Sequence, residues 1–383
     1  MLTISEWKKI DQQLQSADMK LIGHSTNLVD VVWKPNQPSL PTQPIIPLEL
    51  KFTGKSWEQK ILDMRNEMKA KKADVLVLSA LDDVAWLLNI RGSDIEYNPC
   101  FFSYAVITNI DVFLFVDESQ VKKAVRHHLT PSSENQNIIK MEIQDYHSIT
   151  NFLSDLQKGQ TIWLSNHVSQ ALVSICSQPE RKHKIILECT PVTLAKAIKN
   201  QVEINGFIQC HIRDAAALCS YFAWLENEVP KGAVCEISGA DKLESLRAEM
   251  EHFVGLSFTT ISSVGPNAAI NHYSPTPETN RKLTLEEVYL VDSGGQYFDG
   301  TTDVTRTLHF GIPKLFEKEC FTRVLKGQLK VAMSIFPTKI IGNYLDTLAR
   351  ISLWEVGLDY SHGMISNIFY NLKNIVLFYL LFN

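Results

Sequence analysis

Two aspartates, Asp292 and Asp303, sit in the stretch VYLVDSGGQYFDGTTDVTRT, each inside or beside a short apolar run and separated by a glycine-rich turn. A carboxylate in an apolar strand is costly unless it is paired, hydrogen-bonded or bound to a metal. If the chain reverses near Tyr297 and Phe298, the two carboxylates face each other on one side of a hairpin, with Cβ atoms about 5 Å apart. Two hard oxygen donors so placed can bridge two divalent cations. An Asp299–Gly300 turn would instead slip the pair by about four residues. Spacing alone therefore leaves three readings open: metal ligation, Asp292 capping the SGG turn, and Asp303 pairing with Arg306.

The elements that must position this pair follow from hydrophobic periodicity. Before the hairpin, Phe207, His211, Asp214, Leu218, Phe222 and Leu225 recur at helical spacing, and a further helix is expected around Ile237, Leu243, Leu246 and Met250. FTTISSV, VYLVD and TDVTRTLHF read as strands, followed by helices beginning near Pro313 and Asn343. This is an α+β texture. The first half differs. Ser56 and Gln59 form a capping signal ahead of Trp57, Ile61, Met64 and Met68, and DVLVLS reads as a buried strand. LDDVAWLLNIRG reads as a helix stopped at Gly92, with FFSYAVIT, DVFLFVD, TIWLS and IILEC as strands. The expected organisation is a remnant and linker over residues 1–40, an α/β domain over 41–189, an α+β domain over 190–363 and a divergent tail over 364–383.

Composition narrows the function classes. At 383 residues with 45% hydrophobic content the chain can bury more than one core. A net charge of −5 leaves no electrostatic footprint for nucleic acid. The seven cysteines are scattered without a C-x-x-C pair, which favours a reduced, cytoplasmic protein. The longest apolar run, IVLFYLLF, is far short of the roughly 20 residues that span a bilayer, so no membrane role is expected.

The run VYLVDSGGQYFDGTTDVTRTLHFG, with VGPNAAINHYSPTPETNRKL before it and LWEVGLDYSHG after it, resembles the Xaa-Pro aminopeptidases of the creatinase/aminopeptidase (M24) superfamily. NIRGSDIEYNPCFFSYAVIT and AKAIKN carry the likeness into the first half. The resemblance implies a creatinase-like α/β N-terminal domain followed by an incomplete pita-bread catalytic domain, of the three-domain cytosolic type. Most of the first of those three domains is absent by this comparison. The implied activity is hydrolysis of the bond between an N-terminal residue and proline, in peptides with proline at the second position, by a metallopeptidase using two ions, usually manganese. Prolidase and creatinase are the near alternatives.

By position, the resemblance makes Asp292 and Asp303 metal ligands, His272 a substrate-contacting histidine that stabilises the reacting carbonyl, and His362 a second histidine near the substrate. Read without it, His272 is a loop histidine satisfied by Asn271 or Tyr273, and His362 a helix C-terminal cation after Gly357. The family completes its site with one histidine and two glutamates. Where that histidine is expected this chain has Ser366, and no Asp, Glu, His or Cys follows Gly363. Two of five ligands are thus present, so the polypeptide as written is expected to be inactive. The abrupt change to MISNIFYNLKNIVLFYLLFN reads as translated non-coding sequence or an alternative exon. The alternative function is a catalytically dead isoform that binds or dimerises through its intact middle domain, as family members often form homodimers.

Overall fold

In the computed structural model, which describes residues 2–24, 26–135, 138–337 and 340–362, the chain divides into two units, Met1–Gly206 and Phe207–Asn383. The division falls inside the helix Gln201–Glu228.

The first unit is built on a six-stranded mixed sheet. Its order is Lys140–Asp145, Asp111–Val116, Ser103–Ile107, Val75–Leu78, Thr161–Leu164 and Lys184–Leu187. The central strand VLVL is buried on both faces. Leu76 and Leu78 enter one core with Trp57, Ile61, Met64 and Met68, while Val75 and Val77 enter the other with Ile4, Phe115, Leu153 and Leu172. The two-residue period of a strand divides a continuous apolar run in this way, because successive side chains point to opposite faces.

Local chemistry starts and stops the helices around this sheet. Ser56 accepts the Gln59 amide to begin Trp57–Lys71. Thr3 and Glu6 form a reciprocal capping box for Ile4–Gln15. The helix expected to run to Gly92 ends sooner. It spans Leu81–Leu88 and stops at Asn89, whose φ is +52°. Asn89 takes the left-handed C-cap conformation, and Gly92 serves another need: a Cβ there would lie 2.6 Å from Phe101. Between the strands 103–107 and 111–116, the Thr108 hydroxyl accepts from Ile110 and Asp111 and makes the turn.

The second unit packs helices against two small antiparallel sheets. One sheet has the order Ile261–Val264, Tyr289–Ser293, Val304–Leu308; the other has Gly300–Thr301, Gly295–Tyr297, Phe253–Leu256. Gly294 is the joint between them, since a Cβ there would lie 2.0 Å from the Thr302 carbonyl oxygen. Asp214 on the long helix is 1% exposed and forms a two-pronged ion pair with the fully buried Arg247, at 2.7 and 3.0 Å. Tyr297 donates to the same carboxylate at 2.9 Å. The long helix and the helix Glu236–Ala248 are thereby tied to the second sheet. Helices follow at Leu315–Ala332 and Gly342–Trp354.

Candidate metal centre

Asp292 lies on the middle strand of the first small sheet, opposite Ile261 on one side and Thr305 on the other. Asp303 comes just ahead of the strand Val304–Leu308, two residues before Thr305, and its carboxylate is close enough to that of Asp292 to act on its charge. This differs from the expected face-to-face pair. The hairpin reverses at Phe298–Asp299, with Tyr297 opposite Gly300, and the register is displaced by one diagonal step. Tertiary contacts choose that turn. Arg213 grips the Asp299 carboxylate at 2.5 and 2.6 Å, and the Phe298 amide donates to the His252 carbonyl at 3.0 Å.

The carboxylate pair is electrostatically strained. Burial pushes the Asp292 carboxyl up to about 6; the nearby Asp303 carboxylate adds to the rise, while the polar Thr305 side chain and the Ser293 amide oppose it. Its Oδ1 is buried and, among the described residues, has no hydrogen-bond partner. An acceptor left in this way costs about 1–3 kcal/mol. A divalent cation held there would remove both penalties, by filling the orphaned lone pair and offsetting the like charges. The two oxygen donors fit a hard cation. Among the described residues no group of three or more His, Cys, Asp or Glu is placed to hold one. The expected replacement position Ser366, and the rest of the tail, lie outside the described residues.

The two histidines form a second pair. His272 and His362 bring their Nε2 atoms to 3.4 Å, with rings edge to face at a centroid distance of 5.3 Å. His272 is exposed, on a loop that leaves Val264, the end of the strand paired with the Asp292 strand. His362 is held from behind by Arg350, whose guanidinium donates to the His362 carbonyl at 2.5 Å, the Tyr360 carbonyl at 2.6 Å and Asp359 at 2.8 Å. Asp346 in turn fixes Arg350 at 2.7 Å. Sequence reasoning missed Arg350; no motif marks it, although its spacing from Asp346 is that of a helical ion pair.

Residues 36–203 match the creatinase/prolidase N-terminal domain, and residues 206–372 match metallopeptidase family M24. The chain thus carries a creatinase-like α/β domain ahead of a pita-bread domain of family M24. Within that family it is similar to the Xaa-Pro aminopeptidases. It is 49% identical over 366 residues to an Xaa-Pro aminopeptidase of Drosophila melanogaster, covering 95% of this chain and 58% of the relative. It is 40% identical to Xaa-Pro aminopeptidase 2 of Homo sapiens, covering 95% of this chain and 54% of the relative. Among solved structures it resembles the X-prolyl aminopeptidase of Caenorhabditis elegans, described as a cytosolic enzyme with a di-nuclear active site. That match has a TM-score of 0.86 and 36% identity over 94% of this chain and 58% of the other. The chain thus spans a little over half the length of these relatives. Among the described residues no helix is long and apolar enough to cross a membrane.

Proposed function

We propose that this chain carries part of the dinuclear site of a cytosolic metalloaminopeptidase that cleaves the bond between an N-terminal residue and proline, with manganese as the metal. The observation that carries this reading is the buried Oδ1 of Asp292, which has no partner among the described residues and lies close to the Asp303 carboxylate. When bound, a pair of divalent ions supplies a water of lowered pKa and polarises the peptide carbonyl. Asp292 and Asp303 hold the ions through carboxylate oxygens. Asp292 gives up its proton on binding, so its raised pKa makes metal affinity fall with acidity. His272 and His362 present ring N–H groups to the carbonyl oxygen, where negative charge develops in the transition state. Arg350 fixes the backbone that presents His362.

By the resemblance above five protein ligands hold the ions in the family; Asp292 and Asp303 match two of them, and Ser366 stands where a third, a histidine, is expected. We therefore expect the 383-residue polypeptide to release no N-terminal residue from an Xaa-Pro-Xaa peptide, with added manganese, above the rate of Asp292→Asn. Manganese-dependent release that is lost in Asp292→Asn contradicts the expected inactivity. Ser366 in place of that histidine also favours a second reading, a catalytically dead chain that binds or homodimerises through its first unit.

A further inference from the structure

Glu236 is completely buried in the first turn of the helix Glu236–Ala248. Its carboxylate accepts from the Val264 amide at 2.8 Å, the Asn267 side-chain amide at 3.1 Å to each oxygen, the Tyr273 hydroxyl at 2.8 Å and the Arg281 amide at 3.0 Å. Its own amide donates to the Arg281 carbonyl at 2.9 Å. Every one of these donors is an uncharged N–H or O–H group. Only an ionised carboxylate, which accepts at both oxygens and donates from neither, satisfies them all.

These partners belong to a single excursion of the chain. The strand ends at Val264, the loop turns through Asn267, passes His272 and Tyr273, and returns at Arg281. His272 stands in this loop with a φ of +54°, a conformation that costs a non-glycine residue on the order of 1 kcal/mol and persists only where its surroundings hold it. The holding is visible. Tyr273 is 6% exposed although its neighbour His272 is exposed, and its oxygen also accepts from Asn267 at 2.8 Å. The Tyr273 amide donates to the Ile270 carbonyl at 3.2 Å, and the Ile270 amide to the Asn267 carbonyl at 3.1 Å. A chain of bonds therefore runs from the carboxylate to the residue covalently next to His272.

We propose that Glu236 is a positioning residue: through Tyr273 and Asn267 it sets the backbone of His272 so that its ring meets His362. The inference rests on the reading of these histidines as the substrate-facing pair. A glutamate that only anchored its helix would affect stability and leave the ring geometry of the folded protein alone.

The test uses the full chain with isotope-labelled histidine and reads the ring-proton NOE between His272 and His362, together with hydrogen exchange along residues 265–282. Tyr273→Phe removes one hydroxyl donor from the knot. Glu236→Gln keeps an oxygen for Val264 but turns an NH2 group toward the Tyr273 and Arg281 donors. Well below the melting temperature, both variants are expected to lose the NOE and to exchange the Tyr273 amide at least about tenfold faster, since a hydrogen bond to a charged group is lost. An unchanged NOE and unchanged exchange in folded Tyr273→Phe overturn the proposal, even if that variant melts earlier. If Glu236→Gln does not fold, Tyr273→Phe decides alone. Manganese binding is measured on the same samples. Absent binding with a Glu236-dependent NOE removes the functional reading and leaves the positioning role, whereas intact binding with an unchanged NOE does the reverse.

Discussion

The strands Val75–Leu78 and Tyr289–Ser293 are both short, both open on an apolar run, and both are interior strands of their sheets. The first gives every side chain to a core and carries nothing ionisable. The second interrupts the same kind of run with Asp292, whose inner oxygen is buried without a partner among the described residues. A run that maximises apolar burial needs no further explanation, whereas one that forgoes burial to place a charge there marks a binding function.

That contrast can be broken most forcefully in the first strand. Val77→Asp puts a carboxylate at a position 1% exposed, where no partner has been provided. The expected loss is at least about 4 kcal/mol, seen in urea melts as loss of the cooperative transition of the first unit. Tolerance of this change would show that burial of charge is cheap here and would strip Asp292 of its significance.

The converse substitution is expected to stabilise. The metal-free Asp292 carboxyl, at about 6, titrates above its usual value, so its favourable contribution is present below about pH 4 and is lost as pH rises through 6. Asp292→Asn removes the penalty. Without metal at pH 8 it should gain on the order of 1–3 kcal/mol, read as a higher melting temperature, and its stability should be flat where the parent's falls. A lower melting temperature at pH 8 would contradict the assigned strain.

A smaller effect sharpens the comparison from the other side, because the first unit also buries a charge. Lys60 is 1% exposed, but its ammonium donates to the Trp86 carbonyl at 2.8 Å and to Asn89 at 2.7 Å, over the Trp86 ring. Burial lowers its pKa to about 7. Between pH 7 and 10.5 the unfolded chain binds more protons than the folded one, so stability rises with pH in that window. The partners and the ring favour the charged form and blunt the rise to about 1 kcal/mol between pH 7 and 9. Thermal melts of Lys60→Met should lack the rise; a slope unchanged by the substitution would show that Lys60 is not its source.

Much of this was legible in the sequence where local rules decide. Ser56 caps its helix, and the apolar run DVLVLS is a strand buried on both faces. Non-local contacts decided the rest. The carboxylate register depends on Arg213 holding Asp299, and the early helix stop depends on Asn89 accepting a left-handed backbone. His272 and His362 are 90 residues apart, and only the family likeness put them in one site. Glu236 carried no sequence signal, because one glutamate at a helix start looks like an ordinary first-turn acid.

The central claim is that the buried carboxylate oxygen of Asp292 is placed there to bind a cation. Titration calorimetry of manganese into the full chain at pH 7.5 tests it most directly, beside Asp292→Asn and Asp303→Asn. The account predicts measurable binding that weakens at least about tenfold in each variant and weakens again as pH falls below 6. Binding of equal strength in all three proteins, or none in the parent, would contradict it.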